Sequence, residues 1–221
     1  MPDPSESISE PRRRLIDTAR RMAPSGLNRG TAGNLSMRVR ENGEDGYLIT
    51  PSGMDYDALA SEDIVFMRPD GTSIGHRKPS SEWRFHHDLY ARRPEVGAVL
   101  HAHSPFAVSL SCLRRDIPPF HYMIARFGGD TIRCADYATF GTQALSDHAL
   151  AAMRERCACL LASHGMLVFG QTPEHAFGLA LELETLCEQY WRASHLGAPV
   201  LLSGEEMRAV LEKFAGYGQQ A

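Results

Sequence analysis

The sequence predicts an α/β fold in which helices pack on a largely antiparallel sheet, and three observations lead there. Strand-like and helix-like segments mix along the chain without the regular βαβ repeat that builds a parallel sheet. Short turns join neighbouring strand-like runs, at Glu41–Gly46 (ENGEDG) and around Asp70-Gly71, which is the signature of antiparallel hairpins. The chain has 221 residues, 43% hydrophobic and 23% charged, ordinary for a globular chain long enough to bury a sizeable core. With no internal repeat and no long linker, one domain is expected over 12–221.

Residues 1–11 (MPDPSESISEP) are polar, acidic and rich in Pro and Ser. They are expected as a flexible tail, with no hydrophobic stretch to act as a signal peptide. A first helix is expected over 12–25, where Arg12, Arg13, Arg14, Arg20 and Arg21 alternate with Leu15, Ile16, Ala19 and Met22. Those arginines read as its solvated face. A polar loop punctuated by Gly26, Gly30 and Gly33 leads into an alternating strand, Leu35 to Val39. The strand returns at Tyr47 to Thr50 and runs into the turn PSGMDYDAL; IVFMRPDGTSIG reads as a second hairpin.

Glu82 to Pro94 (EWRFHHDLYARRP) reads as a helix with Trp83, Phe85 and Leu89 as core residues. Val96 to His103 is the central strand, and SPFAVSLSCLRR follows as a helix. After Pro118-Pro119 the chain passes through HYMIARFGG and TIRCADYATFGT. Ser146 to Glu155 is then helical, CACLLASHGMLVFG holds a strand pair, Thr172 to His195 is a long helix, and Ser203 to Phe214 a short last one.

The net charge of −4 argues against a general nucleic-acid binder. Apolar runs such as CACLLA fall far short of a membrane span. Cys112, Cys134, Cys157, Cys159 and Cys187 are odd in number and lack framework spacing. They read as unpaired thiols of a reducing cytoplasm, with the Cys157-x-Cys159 pair buried at a strand start.

The chemistry concentrates in His101 and His103 (VLHAHS), His164 (LLASHGM) and Glu82 (PSSEWRF). In a strand, residues two apart share a face, so His101 and His103 would stand side by side. Polar side chains on one face of an apolar strand need partners. With His164 at a strand end and the Glu82 carboxylate they make a four-ligand metal site. Three neutral nitrogens and one carboxylate suit Zn²⁺, with Mn²⁺, Co²⁺ or Fe²⁺ as alternatives. His76, His148, His175 and His195 lie in polar or helical contexts, and His86 and His87 read as structural.

Three places offer hydroxyls, amides and free backbone N–H groups to an anion: Asn34 after Gly33, Ser52-Gly53, and Ser80-Ser81 at a helix start. Each taken singly is also an ordinary turn or cap. The serine pair stands out because it directly precedes Glu82. Tyr122 and Tyr217 are candidate proton carriers for a developing alkoxide, with packing roles as the default.

The blocks GLNRGTAGNLSMR, ITPSGMDY, KPSSEWRFHHDLY, HAHSPFA, IPPFHYMIARFGG, CADYATFGT, LLASHGM and EKFAGYG, in that order, resemble the class II aldolase/adducin family over Arg13 to Gly218. The resemblance implies a single-domain three-layer sandwich and zinc-dependent, reversible cleavage of a ketose 1-phosphate to dihydroxyacetone phosphate and an aldehyde. The substrates implied are L-fuculose 1-phosphate, 5-deoxyribulose 1-phosphate or 5-(methylthio)ribulose 1-phosphate. His101, His103 and His164 match the zinc ligands. Glu82 matches the carboxylate that holds the resting metal, leaves on substrate binding, and acts as acid/base.

Asn34, Ser52, Gly53, Ser80 and Ser81 match phosphate-binding positions. Tyr122 matches a tyrosine that reaches a neighbouring subunit's site, and Phe140, Phe214 and Tyr217 match residues lining the aldehyde end. The resemblance further implies a cyclic homotetramer. Arg126 and Phe127 stand where small residues are expected, near the mouth of the site, and would bear on which aldehyde fits. Lys78 and Lys213 are the only lysines, which disfavours Schiff-base chemistry. A same-fold ribulose-phosphate 4-epimerase or methylthioribulose-1-phosphate dehydratase remains the alternative. A non-enzymatic adducin-like module fits less well with all four metal-site residues present.

Overall fold

A computed structural model of the chain describes residues 9–215; residues 1–8 of the expected tail and Tyr217 lie outside them. Helix α1 (Glu10–Met22) starts earlier than expected, because Pro11 fits the first turn, where a missing N–H leaves no bond unmade. It ends at Met22, since Pro24 cannot donate to the Arg20 carbonyl. Leu15, Ile16, Ala19 and Met22 are buried.

The arginines of α1 are not simply a solvated face. Arg12 donates to both Glu41 carboxylate oxygens at 2.9 Å and to the Ile64 carbonyl at 2.7 Å. Arg14 forms a two-point pair with Glu174 at 2.6 and 2.7 Å. Arg20 donates to the Leu59 carbonyl at 2.9 Å. The fork of guanidinium donors fastens the helix to segments far away in sequence, which periodicity cannot reveal.

Strands β1 (Asn34–Glu41) and β2 (Glu44–Ile49) form a hairpin. Its turn is Asn42-Gly43, both with positive φ (52° and 85°), the two-residue geometry that matches strand twist. Asp45 and Gly46, expected in the turn, instead pair with Arg40 and Val39 inside the ladder. Strands β3 (Val65–Met67) and β4 (Ser73–Ile74) make the second hairpin. Helix α2 (Trp83–Arg92), strand β5 (Ala98–Ala102) and helix α3 (Pro105–Ser111) follow in order.

HYMIARFGG contains a 3-10 helix, Tyr122–Phe127, and strand β6 (Cys134–Ala135) comes next. Helix α4 (Gln143–Ala152) begins before the expected Ser146, because the Thr142 hydroxyl accepts from the Leu145 N–H at 3.3 Å and caps it. Strands β7 (Ala158–Leu161) and β8 (Gly165–Gly170) are the expected pair. Helix α5 (Pro173–Leu196), capped by Thr172, and α6 (Gly204–Ala215) complete the described chain.

Among the described residues, the strands form one eight-stranded sheet in the order β4-β3-β2-β1-β5-β8-β7-β6. Every pairing is antiparallel except β6 with β7. On one face, α1, α3, α5 and the sheet residues Leu35, Leu100, Met166 and Val168 share a core. On the other, α2 and α4 cover Val99, Cys159, Leu167 and Phe169. The result is a three-layer α/β sandwich. Its polar exception on the second face is where β1, β5 and the N-terminal end of α2 meet.

Candidate active site

Opposed residues in an antiparallel pair share a face, and β1 and β5 place Asn34 directly opposite His101. Both point to the α2 side. His101 Nδ1 lies 2.8 Å from the Met166 carbonyl oxygen of β8, which can only accept, so Nδ1 carries the proton and Nε2 presents a lone pair. His103 follows one residue beyond the strand end, where its backbone N–H donates to Asn28 Oδ1 at 3.3 Å.

His164 sits in the β7–β8 turn after Ser163, which takes a left-handed φ of 53°. The turn is anchored from α3: the Ser163 N–H donates to the Ser111 carbonyl at 3.0 Å and the His164 N–H to the Ser111 hydroxyl at 3.3 Å. Gly165 is required next, because a Cβ there would stand 2.5 Å from the Ala102 carbonyl. This close approach sets the β8 turn against the end of β5, and with it His164 against His103.

Glu82 occupies the N-cap position of α2, yet its side chain caps nothing and turns into the cluster. Glu82 Oε2 is 3.1 Å from His101 Nε2, and Oε1 is 3.2 Å from His164 Nε2. His101 Nε2 and His103 Nε2 are 2.8 Å apart, and the three imidazole centroids form a near-equilateral triangle of 4.7, 4.8 and 4.9 Å. One ligand atom from each of the four residues lies within 4.8 Å of all the others.

Such a set can hold a metal ion. Two imidazole nitrogens 2.8 Å apart need a cation or a proton between them, and among the described residues buried Glu82 Oε1 has no aligned hydrogen-bond donor. Burial pushes the Glu82 carboxyl up, but His101 and His164 outweigh it and hold it well below the usual carboxylate range. Burial, with the neighbouring His101 and His164, pulls His103 down to about 4. A carboxylate beside a neutral His103 is the protonation state that ligation needs.

Above the cluster opens a cleft of about 360 Å³. Its walls include Asn34, Ser52, Gly53, Ser80, Ser81 and Phe140 together with Glu82, His103 and His164. Two loops are tied together to make this wall: the Ser52 N–H donates to the Lys78 carbonyl at 3.2 Å, and the Ser80 N–H to the Thr50 carbonyl at 3.1 Å. Thr31, Tyr137, Ala138 and Ser163 also line the cleft and were not singled out from the sequence. Ser163 adjoins His164 and was within reach of that reasoning; nothing local marks Tyr137.

Tyr122 and Phe214 are not in this cleft. They line a separate one of about 700 Å³ with Met123, Arg126, Val210 and Lys213, and Tyr122 is half exposed. Phe127 is fully buried in the core, so the expected position at the mouth of the site is wrong for it; Arg126 is exposed beside Tyr122. In a 3-10 turn, neighbouring side chains point to different sides, and sequence position alone did not separate them.

His86, expected as structural, is fully buried and bonded to Asn34 and Ser36. The five cysteines are free thiols, with Cys159 buried and Cys157 half-buried. No described helix is long and apolar enough to cross a membrane.

Residues 13–191 match the family described as Class II Aldolase and Adducin N-terminal domain. The 5-methylthioribulose-1-phosphate/5-deoxyribulose-1-phosphate aldolase of Rhodospirillum rubrum is 56% identical over 94% of this chain and 92% of its own. The L-fuculose phosphate aldolase of Escherichia coli K12 is 46% identical over 93% and 94%. A solved L-fuculose 1-phosphate aldolase superposes with a TM-score of 0.88 at 40% identity, covering 94% of this chain and 97% of that one. These relatives mark the chain as an enzyme of the lyase class. In sequence and in fold, the chain belongs to the class II aldolase and adducin N-terminal domain family.

Proposed function

We propose that the protein catalyses reversible, zinc-dependent retro-aldol cleavage of a ketose 1-phosphate to dihydroxyacetone phosphate and an aldehyde. The observation that carries this reading is that one cleft holds both the Glu82–His103–His164 wall and the hydroxyl- and amide-bearing wall of Asn34, Ser52, Gly53, Ser80 and Ser81. A phosphate bound by the second wall would bring the carbons next to it over the first. His101, His103, His164 and Glu82 would hold the ion, Zn²⁺ by its donor set. When bound, the cation supplies electrophilic stabilisation of the negative charge that develops beside the substrate carbonyl.

The chain's own groups do the rest. Asn34 Nδ2, the Ser80 and Ser81 hydroxyls and the loop at Ser52-Gly53 donate to the phosphate and fix the register of the sugar. Breaking C3–C4 requires loss of the C4 hydroxyl proton, which Tyr122 accepts as the phenolate, or which a water it orients carries away. Glu82, displaced when substrate binds and protonated from solvent, delivers that proton to the carbanionic carbon to complete dihydroxyacetone phosphate. The proton taken from the C4 hydroxyl returns to solvent. Tyr122 is exposed and stands apart from its own chain's cleft, which supports a homotetramer whose sites are completed by a neighbouring subunit, with Phe214 and Tyr217 brought to the aldehyde end. Five free thiols suit a reducing cytoplasm.

Tyr137, Ala138 and Phe140 also line the cleft and would give its aldehyde end an aromatic and apolar wall. It favours a 5-deoxy- or 5-(methylthio)pentulose 1-phosphate over the more hydroxylated L-fuculose 1-phosphate, in line with the R. rubrum relative. Side-by-side kinetics on the three compounds test this: higher kcat/KM for the two pentulose phosphates is expected, and a clear preference for L-fuculose 1-phosphate would overturn the choice. A dehydrated or epimerised product without triose phosphate would overturn the reaction itself.

A further inference from the structure

We infer that His86 is a positioning residue, whose ring N–H fixes the Asn34 amide so that its NH2 group, not its carbonyl, faces Glu82 and the cleft. The inference rests on the role proposed above for Glu82 and Asn34. Its starting point is an alignment of two periodicities. Glu82, His86 and Tyr90 recur every four residues along one face of α2, and Asn34 and Ser36 recur every two along the facing side of β1.

The side chains interleave into one buried chain of hydrogen bonds. Tyr90 Oη is 2.8 Å from Ser36 Oγ, and Ser36 Oγ is 2.7 Å from His86 Nδ1. His86 Nε2 is 2.5 Å from Asn34 Oδ1, and Asn34 Nδ2 is 3.2 Å from Glu82 Oε2. All five residues are buried, and His86 and Ser36 have no exposure.

The direction of every bond follows from the charge at one end. An ionised carboxylate only accepts, so Asn34 must turn its NH2 to Glu82 and its carbonyl to His86. His86 Nε2 must then be the donor. Burial, followed by the nearby His101, lowers the His86 pKa to about 3, so the ring is neutral and Nδ1 is bare. Ser36 therefore donates to Nδ1 and accepts from Tyr90. Reversing the Asn34 amide would set a carbonyl against both the carboxylate and a bound phosphate. A histidine that merely filled this space would carry a desolvation cost that an apolar side chain avoids.

The test begins with the tautomer of His86 in the metal-loaded protein, read from long-range proton–nitrogen correlations on ¹⁵N-histidine-labelled samples. A single Nε2–H tautomer is expected; an Nδ1–H tautomer overturns the inference. This readout does not depend on any turnover, so it stands even if the aldolase reading fails. His86→Leu is expected to lower kcat/KM roughly 10–100-fold at unchanged metal content. His86→Gln, which keeps an N–H near the Nε2 position, should recover most of that loss.

Equal activity losses in the two variants, tracking a common fall in melting temperature, would assign His86 to packing and overturn the inference. Should His86→Leu not fold, Ser36→Ala leaves the ring in place and removes the donor to Nδ1. It should mix the tautomers and lower kcat/KM about 2–10-fold. A pure Nε2–H tautomer with wild-type kcat/KM in that variant counts against the inference.

Discussion

His101 donates from Nδ1 to the Met166 carbonyl at 2.8 Å and thereby aims Nε2 into the cluster it shares with Glu82, His103 and His164. The bond crosses from β5 to β8, so the ladder that builds the sheet also sets the ring that a metal would meet. Removal of one imidazole from such a set leaves three ligands. For His103→Ala, metal affinity should fall by at least about 100-fold, beyond the range that changes behind the ligands produce, and activity should fall with it. Metal content after dialysis checks this; retained stoichiometric metal would remove His103 from the ligand set.

Glu82→Gln keeps the shape of the side chain but cannot exchange a proton. Turnover should drop roughly 10²–10⁴-fold while the fold is preserved, as measured by steady-state kinetics beside circular dichroism. Tyr122→Phe should also slow cleavage strongly, and without releasing metal, because Tyr122 lies outside the cluster. A near-wild-type rate in either variant removes that residue from proton transfer.

Ser80 and Ser81 border the cleft at the start of α2. A hydrogen bond to a charged group contributes about 1.5–3 kcal/mol, so Ser81→Ala should raise KM roughly 10–100-fold for a phosphorylated substrate. An unphosphorylated analogue should show little change between variant and wild type. Equal losses on both substrates would mean that the hydroxyl does not meet the phosphate.

Glu184 of α5 reaches the N-terminal end of α3, accepting from the Ser104 hydroxyl at 2.6 Å and from the Phe106 and Ala107 N–H groups at 2.8 and 2.9 Å. These donors immediately follow His103. Glu184→Ala leaves them without their acceptor and should cost about 1–3 kcal/mol in denaturant unfolding. It should weaken metal binding as well, through the displaced His103. A stability loss with wild-type metal affinity would show that the anchor does not extend to the ligand.

His86 also gives the fold a pH dependence. Its pKa falls from the ordinary 6.5 to about 3 through burial and the nearby His101. The unfolded chain takes up this proton as pH drops through 6.5, while the fold resists until about 3. The contribution is therefore complete above 6.5 and is lost on acidification, by up to about 1.4 kcal/mol per pH unit. Metal-free wild type should lose stability more steeply than metal-free His86→Leu over that range. Parallel slopes would show that the buried ring titrates normally.

Much of this was legible because the informative residues are local. His101-x-His103 in an apolar strand announces its geometry by the period of two, and Ser80-Ser81-Glu82 by adjacency. Long-range partners were not. Arg12 and Arg20 look like a solvated helix face until the carbonyls of Ile64 and Leu59 appear beside them. His86 looks like core filling until β1 supplies Asn34 and Ser36. Phe127 and Arg126 are neighbours in sequence, but only packing shows that one is core and the other surface.

The most direct test couples product formation to triose phosphate reduction, using 5-(methylthio)ribulose 1-phosphate and protein stripped of metal, then reloaded. Retro-aldol cleavage at the cluster predicts no dihydroxyacetone phosphate from the stripped protein. Restoration by Zn²⁺ should follow, with one aldehyde released per triose phosphate. Cleavage that persists after complete metal removal, or substrate loss without triose phosphate from the reloaded protein, would contradict it.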